Sequence, residues 1–256
     1  MQRILFILLV FFSEIGLLSA QDFTNIIGKN RETELIFAKE KSIGIQLHSN
    51  GIGFTLRKSI NKSVFRKVTY EIEGMNMKDS KEIKSINPLF VNSKGYSFGK
   101  LNQVYMLKGL YGIQQQLNDK PYWGGVEVSY FYRGGLNIAI TKPIYLYIIK
   151  FINYSDEYYD IQIVEEKYNP EEHFPDIIYG RAPFAKGLDE ISIYPGLSAK
   201  GGFSFEFGTN SQMIKNLETG AMIDFFPKGI PVMANNPKRN LFISLYINIT
   251  IGKRYN

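Results

Sequence analysis

The chain carries few of the side chains that usually do chemistry. It has no Cys and only two His, which leaves no disulfide framework, thiolate zinc site or cysteine nucleophile and almost nothing for a histidine metal cluster. A hydrolase needs a nucleophile, a base and an acid that converge on one point. Two places come near: His48 is followed by Ser49, and His173 follows Glu171 and Glu172. Neighbours in a strand point to opposite faces, so His48 and Ser49 form a dyad only where the backbone bulges. His173 has no adjacent nucleophile. The Gly pairs in Tyr122-Trp123-Gly124-Gly125 and Arg133-Gly134-Gly135 lack the strand–loop–helix setting of a phosphate loop. An outer-membrane lipid hydrolase using His48 or His173 is therefore the secondary reading, and no cofactor or metal is expected.

Charge is the richer signal. Between Ser155 and Asp176, the acids Asp156, Glu157, Asp160, Glu165, Glu166, Glu171, Glu172 and Asp176 face a single Lys167. Hard oxygen ligands could hold Ca²⁺ or a basic partner. No spacing matches an EF-hand, so the expectation is a solvated, self-repelling loop. Tyr154, Tyr158, Tyr159, Tyr168, Phe174 and Tyr179 add ring faces suited to a protein or glycan, and Tyr179 to Phe184 reads as an ordered turn. A second set, Lys67, Glu71, Glu73, Lys100, Lys108, Glu127, Lys200, Glu206, Glu218 and Asp224, alternates with apolar residues. Mixed signs on one face suggest salt bridges in a shared interior, with a proton or ion path as the functional alternative.

What must position these residues is a sheet. Phe 19, Tyr 17 and Trp 1 in 256 residues, with 45% hydrophobic and 21% charged, rule out disorder and favour boundaries where a ring meets a polar phase. The formal charge of +6 has no concentrated Lys/Arg stripe, so nucleic acid is not an expected partner. Arg3, the apolar run Ile4 to Phe12 and Leu18-Ser19-Ala20 before Gln21 read as a signal peptide over residues 1–20. The run is shorter than the about 20 residues a spanning helix needs. Beyond residue 20 no stretch approaches that length, so a membrane form must be a closed barrel.

Period-two alternation supports one. Ile243, Leu245, Ile247, Ile249 and Ile251 oppose Ser244, Tyr246, Asn248, Thr250 and Gly252. In 42–59 the apolar phase moves from odd (Ile43, Ile45, Leu47) to even (Ile52, Phe54, Leu56) across Ser49-Asn50-Gly51, as a bulge or a tight hairpin would do. The bulge gives eight strands, at 42–59, 64–75, 98–112, 122–133, 135–149, 197–208, 214–227 and 240–252, with a hairpin at Gly134-Gly135. The expected fold is all-β, an eight-stranded antiparallel up-and-down transmembrane barrel over 42–256 behind a periplasmic lead-in, 21–41. A polar face of Ser, Tyr, Asn, Thr and Gly suits a narrow lumen rather than the charged exterior of a soluble barrel, and a general porin needs about sixteen strands. With a periplasmic C-terminus, 60–63, 113–121, 151–196 and 228–239 fall outside, and 76–97, Gly134-Gly135 and 209–213 inside. The 76–97 connection is long for a periplasmic turn.

Phe98-Gly99-Lys100-Leu101-Asn102, Pro121-Tyr122-Trp123-Gly124-Gly125-Val126-Glu127-Val128, Thr141-Lys142-Pro143-Ile144-Tyr145-Leu146 and Ile251-Gly252-Lys253-Arg254-Tyr255-Asn256 resemble segments of the small outer-membrane β-barrel proteins of the Bacteroidetes, from about residue 42 to the end. That resemblance implies a structural family with no assigned activity. Many outer-membrane barrels end on an aromatic residue, whereas here Tyr255 is followed by Asn256. The implied function is a structural or surface-interaction role in the outer membrane. The expected partners are lipid, the barrel insertion machinery and an envelope protein or surface ligand at loop 151–196. An accessory barrel of a secretion or transport system is a further alternative.

Overall fold

The computed structural model describes residues 38–88, 90, 93–118, 125–155, 158–207 and 212–256. The signal peptide expected over 1–20 and most of the lead-in expected over 21–41 lie outside them. In chain order the strands are β1 Lys39–His48, β2 Gly51–Asn61, β3 Arg66–Met77, β4 Lys84–Ser85, β5 Tyr96–Ser97, β6 Asn102–Gln116 and β7 Glu127–Pro143. There follow β8 Tyr145–Ser155, β9 Tyr158–Lys167, β10 Ile178–Arg181, β11 Ser192–Phe207, β12 Met213–Ile230 and β13 Arg239–Tyr255. Eight of them close into an antiparallel barrel in the order β1-β13-β12-β11-β7-β6-β3-β2. Closure runs from Lys39 opposite Tyr255 to His48 opposite Tyr246, so no edge is left in the ring.

The alternation decides which way the wall faces. On β13, Ile243, Leu245, Ile247, Ile249 and Ile251 are exposed, while Ser244, Tyr246, Asn248 and Thr250 are buried. Ile45 on β1, Phe54 on β2, Ile72 on β3, Leu107 on β6, Leu136 on β7, Leu197 on β11 and Ile223 on β12 also point outward and are exposed. A soluble barrel would reverse this, because so large a contiguous apolar surface is stable only in an apolar solvent. The barrel strands, from 10 residues in β1 to 18 in β12, reach the roughly 9–11 needed to cross a bilayer when tilted. The apolar exterior and closed backbone make this a transmembrane β-barrel.

Two expected strands are corrected. Residues 42–59 are a hairpin, not one bulged strand: His48 pairs with Gly51 across the two-residue turn Ser49-Asn50, and Leu47 with Ile52. Gly134-Gly135 is not a turn but the middle of β7, paired with Tyr111 and Leu110 on β6 and with Ala199 and Ser198 on β11. Glycine serves close approach there, since a Cβ at position 135 would sit 2.0 Å from the Gly109 carbonyl oxygen. Residues 135–149 are thus not a barrel strand of their own. The barrel strand ends at Pro143, and β8 belongs to a separate sheet. One strand gained and one lost keep the count at eight.

The connections change ends accordingly. The β2–β3, β6–β7 and β11–β12 connections leave and rejoin the barrel at the end that holds the start of β1 and the end of β13, while β1–β2, β3–β6, β7–β11 and β12–β13 do so at the other. The expected positions of 60–63, 113–121 and 76–97 are therefore reversed, which removes the awkward long turn at the terminal end. At the far end the chain builds a cap. Its sheet has the order β10-β8-β9, beside the β4-β5 pair. Its own core joins Tyr96, Leu146, Ile148, Tyr168 and Ile178. The cap is tied to the barrel where Ile144 N–H donates to the Leu101 carbonyl (3.0 Å) and Leu101 N–H to that of Val232 (3.0 Å). Below it, Met75, Met106, Phe131, Met222, Phe226 and Phe242 are among the side chains that fill the lumen.

Candidate functional site

Inside the barrel the inward positions carry neutral polar side chains such as Gln46, Asn137 and Thr250 as well as charged ones, and the charges meet. Glu218 on β12, with no exposed surface, takes the Arg57 guanidinium (Nη1 to Oε1 2.7 Å, Nη2 to Oε2 2.5 Å) and that of Arg133 (Nη2 to Oε1 2.9 Å, Nη1 to Oε2 3.2 Å). Arg57 Nε donates to Glu71 (2.6 Å), and Lys200 pairs with both Glu71 and Glu73. Nearer the cap, Lys108 Nζ sits 2.6 Å from Asp224, which also accepts from Ser198 Oγ (2.5 Å) and Asn137 Nδ2 (3.0 Å). Arg57, Lys108, Arg133 and Lys200 thus balance Glu71, Glu73, Glu218 and Asp224. Paired and hydrogen-bonded in this way, charges persist in a dry interior where isolated ones would not.

A second group lies toward the terminal end. Glu40 accepts from Lys67 (3.1 Å) and Arg254 Nε (2.9 Å), and Arg254 Nη2 reaches Glu206 (2.6 Å). Ser129 Oγ donates to Glu127 (3.4 Å). Nine of the ten expected interior charges thus face the lumen. Lys100 is the exception: it precedes β6 at the cap end and pairs with Glu82 at 2.6 Å. The sequence reading left out Glu40, Arg57, Arg133 and Arg254. Each has the parity opposite to its outward neighbours, Ile43, Leu56, Tyr132 and Ile251, and that signal would have found them.

The acidic stretch is in part the solvated loop expected of it and in part strand β9, where two of its acids have partners. Glu165 pairs with Lys186 (2.7 Å), and Glu166 with Lys150 and with His173 Nε2 (3.2 Å). Hydrogen bonds from Lys186 and Lys150 hold these two carboxyls below the usual carboxylate range. Glu171, Glu172 and Asp176 are exposed. Asp156 and Glu157 lie outside the described residues, and Asp160 is placed by its backbone alone. Among the described residues no cluster of three His, Cys, Asp or Glu could hold a metal ion.

Among the described residues, no hydrogen bond joins either His to a hydroxyl. His48 is buried at the end of β1, with the Asn76 backbone beside its ring. Ser49 points away in the turn. His173 Nδ1 accepts from the Asn169 backbone N–H (3.1 Å), which leaves the proton on Nε2 to face Glu166. Its two nitrogens thus tie the turn 169–173 to β9.

No protein-family model matches the chain, and no curated protein does. Among solved structures, the attachment invasion locus protein Ail of Yersinia pestis is similar at 9% identity, over 86% of this chain and 100% of that one, with a TM-score of 0.39. Neisserial surface protein A is similar at 8% identity, over 85% and 96%, with a TM-score of 0.40. The N-terminal β-barrel domain of Pseudomonas aeruginosa OprF is similar at 5% identity, over 84% and 98%, with a TM-score of 0.34.

Proposed function

We propose that this is an outer-membrane barrel that does not conduct and that works in surface interaction through its cap. One observation carries the reading: among the described residues, the folded structure outside the wall is gathered at the end opposite the described termini, over a lumen packed with paired charges and Met and Phe side chains. A barrel of eight strands has an interior just wide enough for side chains to fill, and here they fill it. The cap is then the outer face, as the longest loops of such barrels are. The motifs that resemble Bacteroidetes barrels support this anatomy. Phe98 to Asn102 and Thr141 to Leu146 are two of the junctions between barrel and cap, and they bond to each other at Ile144 and Leu101.

Envelope fractionation with gel mobility before and after boiling tests the membrane assignment. Recovery with outer membranes and a heat-dependent shift is expected; recovery as a soluble periplasmic protein without a shift overturns it. The sealed lumen is tested by reconstitution into planar bilayers. No stepwise conductance is expected, and a reproducible open channel would place function in the lumen instead.

A further inference from the structure

We propose that the cleft between cap and barrel mouth binds a phosphate monoester carried on a sugar. The cleft has a volume of about 250 Å³, and its wall includes Lys78 at the end of β3, Lys84 on β4, Lys100, Arg181 on β10 and a single acid, Glu82. Glu82 does not neutralise the others, because its two oxygens are taken by Ser97 Oγ (3.0 Å) and Lys100 Nζ (2.6 Å). Lys78, Lys84 and Arg181 are exposed, and none of them has an ion-pair partner among the described residues. Burial and, after it, the carboxylate of Asp176 push the Tyr96 hydroxyl up, so one further acid lies near the cleft without being part of its wall.

Two stretches far apart in the chain, 78–84 and the end of β10, thus bring uncompensated cations to one concavity. Like charges repel, so gathering them there needs a reason. Around a cleft whose wall also holds Met77, Tyr96, Ile144 and Leu146, the low dielectric focuses their field on whatever enters. Arg181 offers a fork that matches two phosphate oxygens, and Lys78 and Lys84 add point charges. The size admits a phosphate with part of its sugar, and Tyr96 supplies an apolar face. Two sources carry this chemistry: a soluble sugar phosphate and the phosphorylated sugar headgroup of a glycolipid. The site deepens the surface-interaction reading, but its test uses purified barrel and does not depend on where the cell puts it.

The folded protein in zwitterionic detergent is titrated calorimetrically with glucose 1-phosphate, and the protein in phosphatidylcholine discs with diphosphorylated lipid A. Saturable binding to either probe is expected, weakened at least tenfold in Lys84→Ala/Arg181→Ala and reduced as salt rises. Binding of glucose 1-phosphate assigns a soluble source; binding of lipid A alone assigns the headgroup. Lys62→Ala, at the opposite end of the barrel, binds as the parent. The heat-dependent gel shift checks that each variant is folded. The single variant Lys84→Gln, expected to weaken binding in the same direction, serves where the double variant fails that check. No saturable binding to either probe, or equal affinity in folded variants, overturns the site and leaves the barrel assignment to fractionation.

Discussion

Arg57 and Glu218 lie three strands apart around the wall, yet their side chains meet across the lumen in a two-point contact of 2.7 and 2.5 Å. Arg133 takes the same carboxylate from β7. One buried acid therefore bridges β2, β7 and β12, which makes it a strut across the barrel rather than a link between neighbours.

Removing that strut should be costly. Glu218→Ala leaves two guanidinium groups buried with only Glu71 between them, and stranding buried charge costs on the order of 3–5 kcal/mol. The urea midpoint of the reconstituted barrel should drop accordingly, and Glu218→Gln, which still accepts hydrogen bonds, should lose less. An Ala variant that unfolds at the parent's urea concentration removes the network from the account of stability.

Lys108 and Asp224 should behave as a unit. Lys108→Met leaves Asp224 with Ser198 and Asn137 but no cation, and Asp224→Asn keeps those two bonds but strands Lys108, which is 1% exposed. The double variant Lys108→Met/Asp224→Asn removes both charges and still satisfies Ser198 and Asn137. It should therefore be more stable than the sum of the single losses by about 1–3 kcal/mol of coupling. Additive losses would show that the two charges do not depend on each other.

Most of the wall was legible, and so in principle were both misread strands. Across a two-residue hairpin turn, paired residues have opposite parity, as Leu47 and Ile52 do. The apolar set must therefore switch between odd and even numbers. It switches at Ser49-Asn50, a true turn. It does not switch at Gly134-Gly135, where Tyr132, Leu136 and Ile138 all stay outward. The departure at Pro143 was not legible. Ile138 faces lipid while Leu146 and Ile148 face the cap core, and the residue types and parity are the same for both. Alternation told which charges turn inward, but who meets whom across the lumen depends on the stagger between strands, which no single segment encodes.

The corrected topology makes a sidedness test decisive. Cysteines introduced at Asn50 and Asn235 should react with a membrane-impermeant maleimide on intact cells, because the 49–50 and 231–238 connections share the cap end. Cysteines at Ser63 and Asn118 should react only after lysis. Labelling at Ser63 but not Asn50 would invert the barrel.

Acid should loosen the cap before the barrel. Hydrogen bonds from Lys186, Lys150 and Lys167 hold the carboxyls of Glu165, Glu166 and Glu190 below their ordinary 4.5. A carboxyl with a lowered folded pKa contributes stability above its ordinary value and loses it as pH falls through the folded one, since the unfolded chain then binds more protons. The cap should therefore weaken from about pH 4.5 downward. Lys186, raised by Glu165, gives the opposite limb: its contribution is full below 10.5 and fades as pH climbs past its raised value. The barrel's backbone bonds are shielded by lipid, and its carboxylates are buried against their cations, so acid reaches them later than the exposed pairs of the cap. Hydrogen exchange read by mass spectrometry, expressed as protection factors so that the intrinsic pH dependence of exchange divides out, should show protection over 144–191 falling in acid while that over β13 holds. Glu166→Gln should already show reduced cap protection at neutral pH and a shallower acid loss. Equal loss over β13 and the cap would mean that the two do not open as separate units.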